Sequence, residues 1–284
     1  ELTKRDKSLM DVLASAASVI VEPQVRDNAR RREIEARLGP VMAQGGPLVA
    51  LQPIVDLATG TRAGAEALSR FPADWGRAPD VVFAEAHSVG LGHELEVQAL
   101  RRAAGLLAGS EGYVAMNVSP ATLLTPSCAK LLGELPLDRV LLELSEHDPV
   151  EDYDALDAAL APFRADGLRL AIDDVGAGFS SLRHIVVTTP DVIKIDRSIV
   201  SGLDVDAVLA TLVRSLLEFA GGMGARVVAE GVETAAEAEV LRDLGVHYGQ
   251  GWHFGRPAVP EPAPVAPVAV PLPRATAEET ALAS

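Results

Sequence analysis

The chain has 284 residues, 48% of them hydrophobic and only 4% aromatic, with a formal net charge of −15. That suits one large α/β domain or two smaller ones, and the dominance of Ala, Val and Leu suits a parallel sheet covered by helices. The acidity excludes non-specific binding to nucleic-acid polymers or to an anionic membrane surface, though metal ions can still bring an anionic substrate to an acidic protein.

Taken in order, residues 1–37 are helical in character. SLMDVLASAASVIV carries apolar residues at helical spacing, and RDNARRREIEARL is highly charged. No signal-peptide pattern opens the chain and no apolar run has the length of a membrane span. Glu1 in place of Met makes an excised fragment the expectation. The pattern changes at Pro47. Leu48–Leu57 reads as a strand, Ala58-Thr59-Gly60 as a turn and Thr61–Phe71 as a second extended run. A link this short predicts an antiparallel pair. Helical stretches follow at Val81–Val89 and Leu91–Leu107.

A strand–helix rhythm then sets in. Strands are expected at Gly112–Ser119, Val140–Glu146, Leu168–Asp174, Val192–Ser198, Arg226–Val232 and Tyr248–Phe254. Between them lie helices ending near Leu132, then at Asp152–Ala165, from Ser180, at Val205–Met223 and at Ala235–Leu244. Eight strands, most of them followed by a helix, predict an α/β fold, a TIM-like (β/α)8 barrel with its first strand antiparallel. A doubly wound open sheet competes, but no Gly-rich nucleotide fingerprint follows the first strand. The stretch after Ala258 is rich in Pro, Ala and Val and reads as a flexible tail. The single cysteine, Cys128, excludes an intramolecular disulfide and fits a reducing compartment.

In such a barrel the C-terminal strand ends build the site. These ends offer Glu66, Asn117, Glu143, Asp173 with Asp174, Lys194, Glu230 and Gln250. Any one of them is ordinarily a turn residue, cap or surface charge. Together, interrupting apolar runs, they point to one shared cavity. Lys194 alternates with Ile193 and Ile195 in a strand that should be buried, so it needs partners. Asp196 shares its face by strand periodicity. Five carboxylates, an amide oxygen and a lysine form a hard, oxygen-rich set that suits Mg²⁺ or Mn²⁺ rather than zinc. Two such ions, with Asp173 the natural bridge, suit in-line attack on a phosphodiester. Lys194 would then hold or polarise the attacking water, and Arg70 is placed for a phosphate or a guanine edge. The six histidines show no metal-ligand spacing, and no GxSxG elbow or Cys-His pair favours covalent catalysis.

QPIVDL (Gln52–Leu57), EALSR (Glu66–Arg70), NVS (Asn117–Ser119), ELSE (Glu143–Glu146), DDVGAGFSS (Asp173–Ser181), KID (Lys194–Asp196), AEGVE (Ala229–Glu233) and QGWHFGRP (Gln250–Pro257) resemble, in order, the EAL-domain family. The resemblance implies a cyclic di-GMP phosphodiesterase that opens the ring to linear pGpG with two Mg²⁺ or Mn²⁺ ions. It implies Glu66, Asn117, Glu143, Asp173, Asp174 and Glu230 as metal ligands, with Glu66 and Glu230 thereby catalytic. Lys194 and Gln250 become water- and substrate-positioning groups, and Gln52, Leu68 and Arg70 substrate contacts. Glu146 becomes the anchor of the loop after Asp174. Departures at Val175, Ala177 and Phe179, and ELSE for the commoner ELTE, touch loop packing rather than ligation.

The expected organisation is a signalling or linker helix at 1–37, a phosphodiesterase domain at 38–259 and a flexible tail at 260–284. Residues 1–20 resemble the closing helix of a GAF-type sensor domain, which implies an upstream sensor domain in the full-length protein. A homodimer in the cytoplasm is expected. Three rivals stand beside hydrolysis: a catalytically weak EAL domain acting as a cyclic di-GMP receptor, a barrel enzyme that enolises a carboxylate substrate, and a dimerisation module.

Overall fold

The structure, a computed structural model, describes residues 4–145, 149–176 and 181–260. The described residues form helix α1 (Lys4–Ala43), strands β1 (Leu48–Asp56) and β2 (Arg62–Arg70), helices α2 (Pro79–Ser88) and α3 (Gly92–Ala104), and strand β3 (Tyr113–Asn117). Helices α4 (Pro120–Leu123) and α5 (Pro126–Leu132) lead to β4 (Val140–Ser145), α6 (Tyr153–Ala165), β5 (Arg169–Val175), α7 (Ser181–Thr188) and β6 (Val192–Ile195). Helices α8 (Arg197–Val200) and α9 (Ala207–Met223), β7 (Arg226–Ala229), α10 (Ala235–Leu244) and β8 (Tyr248–Gln250) complete the order.

The eight strands close into a barrel in sequence order. β1 runs antiparallel to both β2 and β8, and every other neighbouring pair is parallel. The open-sheet alternative therefore falls, because closure leaves no sheet edge. Strand side chains alternate between faces. Outward residues such as Met116, Leu142, Leu144, Leu170, Ile172, Ile193, Ile195 and Val227 are buried in the large cluster shared with the helices. Inward residues Ile54, Tyr113, Ala115, Leu141, Ala171, Val192 and Val228 pack into a second, smaller cluster that forms the floor of the barrel. Gly64 belongs to this layer, where a Cβ would lie 2.5 Å from the Tyr113 carbonyl oxygen, so only glycine leaves room.

The helical N-terminal region is one continuous helix that crosses the expected 37/38 boundary. Its last turns dock on the barrel domain. Ile34 and Leu38 pack with Val82, Ala86, Val89 and Leu95, Arg31 Nη2 donates to the Val89 carbonyl at 2.9 Å, and Arg37 pairs with Glu85. Three strands stop three or more residues earlier than the sequence pattern suggests. β8 ends at Gln250 because Gly251 presses on Val232, where a Cβ would stand 2.1 Å from the carbonyl oxygen, and residues 252–254 turn instead. β7 ends at Ala229, and β6 ends at Ile195 because Asp196 caps α8 with its carboxylate accepting from Ser198 N at 2.9 Å. Among the described residues no helix is long and apolar enough to cross a membrane.

Glu237 ties the top of β7 to the next helix. It accepts backbone N–H groups of Gly202 at 3.0 Å, Glu233 at 2.9 Å and Thr234 at 3.0 Å, and closes a capping box with Thr234. Burial pushes its carboxyl up, but these N–H bonds outweigh it and hold the pKa below the usual range. A depressed carboxylate adds stability above its unfolded value and loses it as pH falls through the folded one. Glu237→Ala is expected to lose about 2 kcal/mol at neutral pH, with the deficit shrinking below about pH 4. Urea denaturation at two pH values checks this.

Candidate active site

Two residues above each floor residue, the inward faces turn polar. Asn117 stands above Ala115, Glu143 above Leu141, Asp173 above Ala171, Lys194 above Val192 and Glu230 above Val228. Gln52, Glu66 and Gln250 stand likewise above Ile54, Gly64 and Tyr248, with β1 read backwards because it is antiparallel. The pleat alone thus carries a ring of donors to one end of the barrel.

Lys194 is fully buried at the centre. Its Nζ lies 2.8 Å from Glu230 Oε1, 2.9 Å from Glu143 Oε1, 3.0 Å from Asp173 Oδ2 and 3.6 Å from Glu66 Oε2. Burial alone would lower its pKa, but Asp173, Glu143, Glu230 and Glu66 overcome this and hold it well above the usual range. The four acids thus hold the side chain as an ammonium in the metal-free protein. Asn117 Nδ2 donates to Glu66 Oε1 at 3.0 Å. Gln250 Nε2 donates to Gln52 Oε1 at 3.1 Å and to Glu66 Oε2 at 2.5 Å, and Gln52 Nε2 reaches the Gly255 carbonyl at 3.2 Å. Asp174 adopts a left-handed backbone, φ 60°, at the irregularity between β5 and β6, with its N–H bound to Asp173 Oδ1 at 2.8 Å. Strain of this kind in a non-glycine residue persists only where its surroundings hold it.

Carboxylate oxygens of Glu66, Glu143 and Asp173 lie within 4.8 Å of one another, as do those of Asp173, Asp174 and Glu230. Asp173 belongs to both triads. The fit to cations is carried by Glu143. It is wholly buried, yet neither oxygen has a hydrogen-bond partner among the described residues, because Lys194 approaches off line. A buried carboxylate without aligned donors, sharing one ammonium with three other acids, is costly unless a further cation or a proton meets it. Burial accordingly raises its pKa well above the usual carboxylate range, against the pull of Lys194, and burial raises that of Glu230 likewise.

A folded pKa above the unfolded value of about 4.3 means that the folded chain holds the extra proton. Stability then falls as pH rises between the two values, by about 1.4 kcal/mol per pH unit for one group. Glu143→Gln removes that loss. In chelator the variant is expected to melt above the wild type, by a gap that widens as pH rises above about 4.3, and Mn²⁺ is expected to stabilise it less. Thermal melts across pH check both.

Two clefts flank this centre. One, about 320 Å³, is lined by Gln52, Glu66, Asp173, Asp174, Glu230 and Gln250, and also by Arg197, Glu233 and Trp252. The other, about 590 Å³, runs from Asn117, Glu143 and Asp174 to Leu68 and Arg70, over an apolar floor that includes Phe83, Leu100 and Met116. The expected ligand, positioning and contact residues therefore meet in one region, and Leu68 and Arg70 occupy its outer arm. Glu146 lies outside the described residues, as do residues 177–180 of the loop after Asp174 that it is expected to anchor and the tail 261–284. Asp196 is spent on its helix cap. Sequence reasoning assigned no role to Arg197, Glu233 or Trp252. Arg197 pairs with Glu233 at 2.8 Å and packs where a Cβ on Gly231, φ 65°, would stand 2.4 Å from its Cγ. The glycine between two glutamates was the available signal.

A closed (β/α)8 barrel whose mouth gathers acids that could bind metal ions defines the class of protein. Residues 35–257 match the family model of the EAL domain, and the chain belongs to the EAL-domain family. It is 34% identical over 244 residues, 80% of its length, to an uncharacterised Mycobacterium tuberculosis protein, of which it spans 39%. It is 31% identical over 218 residues to the Escherichia coli protein named probable cyclic di-GMP phosphodiesterase PdeB, covering 72% of this chain and 41% of that one. Among solved structures, Klebsiella pneumoniae BlrP1 in a manganese and cyclic di-GMP complex superposes with TM-score 0.66 at 32% identity, covering 75% of this chain and 56% of BlrP1. The EAL domain of Mycobacterium smegmatis DcpA gives TM-score 0.62 at 31% identity over 76% of this chain and 92% of that domain.

Proposed function

We propose that this chain hydrolyses cyclic di-GMP to linear pGpG with two Mg²⁺ or Mn²⁺ ions. The observation that carries the reading is the pair of carboxylate triads sharing Asp173 around buried Lys194. Five carboxylates against one ammonium leave a formal charge of −4 when all are ionised, which two divalent cations cancel. Glu66, Asn117, Glu143 and Asp173 would hold one ion, and Asp173, Asp174 and Glu230 the other. The chemistry supplied by such a pair is acidification of a water and stabilisation of charge on the phosphate oxygens.

The chain's own groups then divide the work. Lys194 Nζ donates to the attacking oxygen and offsets charge that develops on it. Both hydrogen bonds of the Gln250 amide nitrogen are internal to the site, and its Oε1 is buried with no partner among the described residues. That oxygen is free to accept a hydrogen bond from the same water and fix its orientation. The apolar floor of the larger cleft takes a base, with Leu68 against its face and Arg70 at its edge or on a phosphate. A phosphodiesterase reading also accords with the names and ligands of the relatives.

Purified chain with Mn²⁺ or Mg²⁺ is expected to convert cyclic di-GMP to pGpG, resolved by chromatography. Tight binding with no linear product under either metal would favour the receptor reading instead. That reading has the poorer support, since no expected ligand residue is missing. Turnover of small carboxylic acids in place of the dinucleotide would favour enolisation.

A homodimer belongs to the same reading. Val208 and Leu212 stand one turn apart on α9, 76% and 41% exposed, and Val205, 86% exposed, lies in the turn just before its N-cap. A second copy covering that apolar stripe accounts for its exposure. Val208→Asp is expected to shift the solution mass from dimer to monomer. A monomeric wild type at micromolar concentration removes this part of the proposal.

A further inference from the structure

Glu96 is buried on α3 and belongs to neither carboxylate triad. Among the described residues it has no Lys or Arg ion pair, so its hydrogen bonds must satisfy it. They go to two other elements. Oε2 accepts from both the backbone N–H and the hydroxyl of Ser119, each at 2.8 Å, and Oε1 meets Nε2 of His87 near the end of α2. An ionised carboxylate only accepts, so the Ser119 hydroxyl must spend its hydrogen on Glu96. Its lone pairs then face Thr122 N, at 3.2 Å, and cap α4. His93, one turn before Glu96, adds a second tie from Nδ1 to Thr122 Oγ1 at 2.8 Å. The turn that follows β3 is thus fastened to α3 at two consecutive turns of helix.

That turn begins at Asn117. β3 pairs with β4 as far as Asn117 and Glu143, and Val118 N still reaches the Glu143 carbonyl at 3.1 Å. Beyond it, the chain path is set by Ser119. Asn117 is exposed, and its Nδ2 bond to Glu66 leaves Oδ1 turned away from that carboxylate. We propose that Glu96 is a positioning residue for Asn117, fixing the end of β3 through Ser119 so that the Asn117 amide oxygen is presented to a divalent cation. The assignment rests on the metal-dependent reading above. It makes His87, which lines the larger cleft, part of the same linkage.

The test measures Mn²⁺ binding to the full chain by calorimetry, without substrate. Glu96→Leu leaves the Ser119 N–H unmet and is expected to weaken binding about tenfold, the lower end of what supporting groups contribute. Glu96→Gln keeps an acceptor for Ser119 and is expected to restore most of it. Because Glu96 acts through Asn117, Glu96→Leu combined with Asn117→Ala should bind no more weakly than Asn117→Ala alone. Should Glu96→Leu fail to fold, Ser119→Ala, which keeps the backbone bond, is expected to show a smaller loss in the same direction. Wild-type affinity in a folded Glu96→Leu, or simple additivity with Asn117→Ala, overturns the proposal. A chain that shows this coupling but does not cleave cyclic di-GMP upholds it while the phosphodiesterase reading fails.

Discussion

Glu66→Ala is expected to lower cyclic di-GMP turnover by about 10³-fold or more, beyond the 10–100-fold typical of groups that only support a metal ligand. Three functions leave with one side chain. Its oxygens anchor the Asn117 amide at 3.0 Å and the Gln250 amide at 2.5 Å, and its charge forms part of the Glu66–Glu143–Asp173 triad. Without it, Gln250 keeps only its bond to Gln52, and its water-orienting oxygen is no longer fixed. The fold should survive. The buried Gln250 amide loses an acceptor, about 1–3 kcal/mol, and the exposed Asn117 amide turns to water, while one of several mutually repelling carboxylates is also removed. The check is kcat at saturating Mn²⁺ alongside a melt and a Mn²⁺ titration. Turnover within tenfold of wild type, in a variant that still folds, would remove Glu66 from the site.

Much of this centre is legible in the sequence because a barrel strand has a period of two. An apolar floor residue followed two positions later by a polar one recurs as Ala115/Asn117, Leu141/Glu143, Ala171/Asp173, Val192/Lys194 and Val228/Glu230. A lysine between isoleucines declares a buried cation, and a buried cation declares its acids. The antiparallel start is legible in a turn too short for a crossover. What escapes is what depends on the loops. The same periodicity places Asp196 beside Lys194, but β6 ends at Ile195 and a helix cap takes the carboxylate. Strand propensity runs through YGQGWHF, yet contact between Gly251 and Val232, on separate strand-following loops, stops β8. Glu96 and Ser119 are 23 residues apart and meet only once α3 lies on the barrel, so no local pattern marks their bond. The docking of Ile34 and Leu38 on α2 is hidden in the same way inside a helix whose sequence reads as largely charged.

Lys194→Met is expected to have the larger effect on the metal-free protein. The ammonium has four carboxylate oxygens within 3.6 Å and is fully buried. Removing one partner of a buried ion pair costs about 3–5 kcal/mol because the remaining charge stays uncompensated, and here several remain. The raised pKa of Lys194 sets one side of the pH dependence. A folded pKa above the unfolded one gives stability that is complete below the unfolded value, about 10.4, and lost as pH rises through the folded value. Glu143 and Glu230 set the other side. Burial already raises both, and without the ammonium they take up protons more readily, which relieves the variant as pH falls. The deficit between wild type and Lys194→Met should therefore be greatest between about pH 7 and about pH 9 and should narrow toward about pH 5. Mn²⁺ should narrow it too, since a divalent cation can meet the same oxygens, but cleavage should remain lost because nothing replaces Nζ at the attacking oxygen. Lys194→Arg should not rescue turnover, because a planar fork cannot spread three donors from one atom among carboxylates at four strand ends. Denaturation at three pH values, with chelator and with Mn²⁺, separates these effects. A variant as stable as wild type in chelator at neutral pH would mean that the four carboxylates are not relying on the ammonium at all.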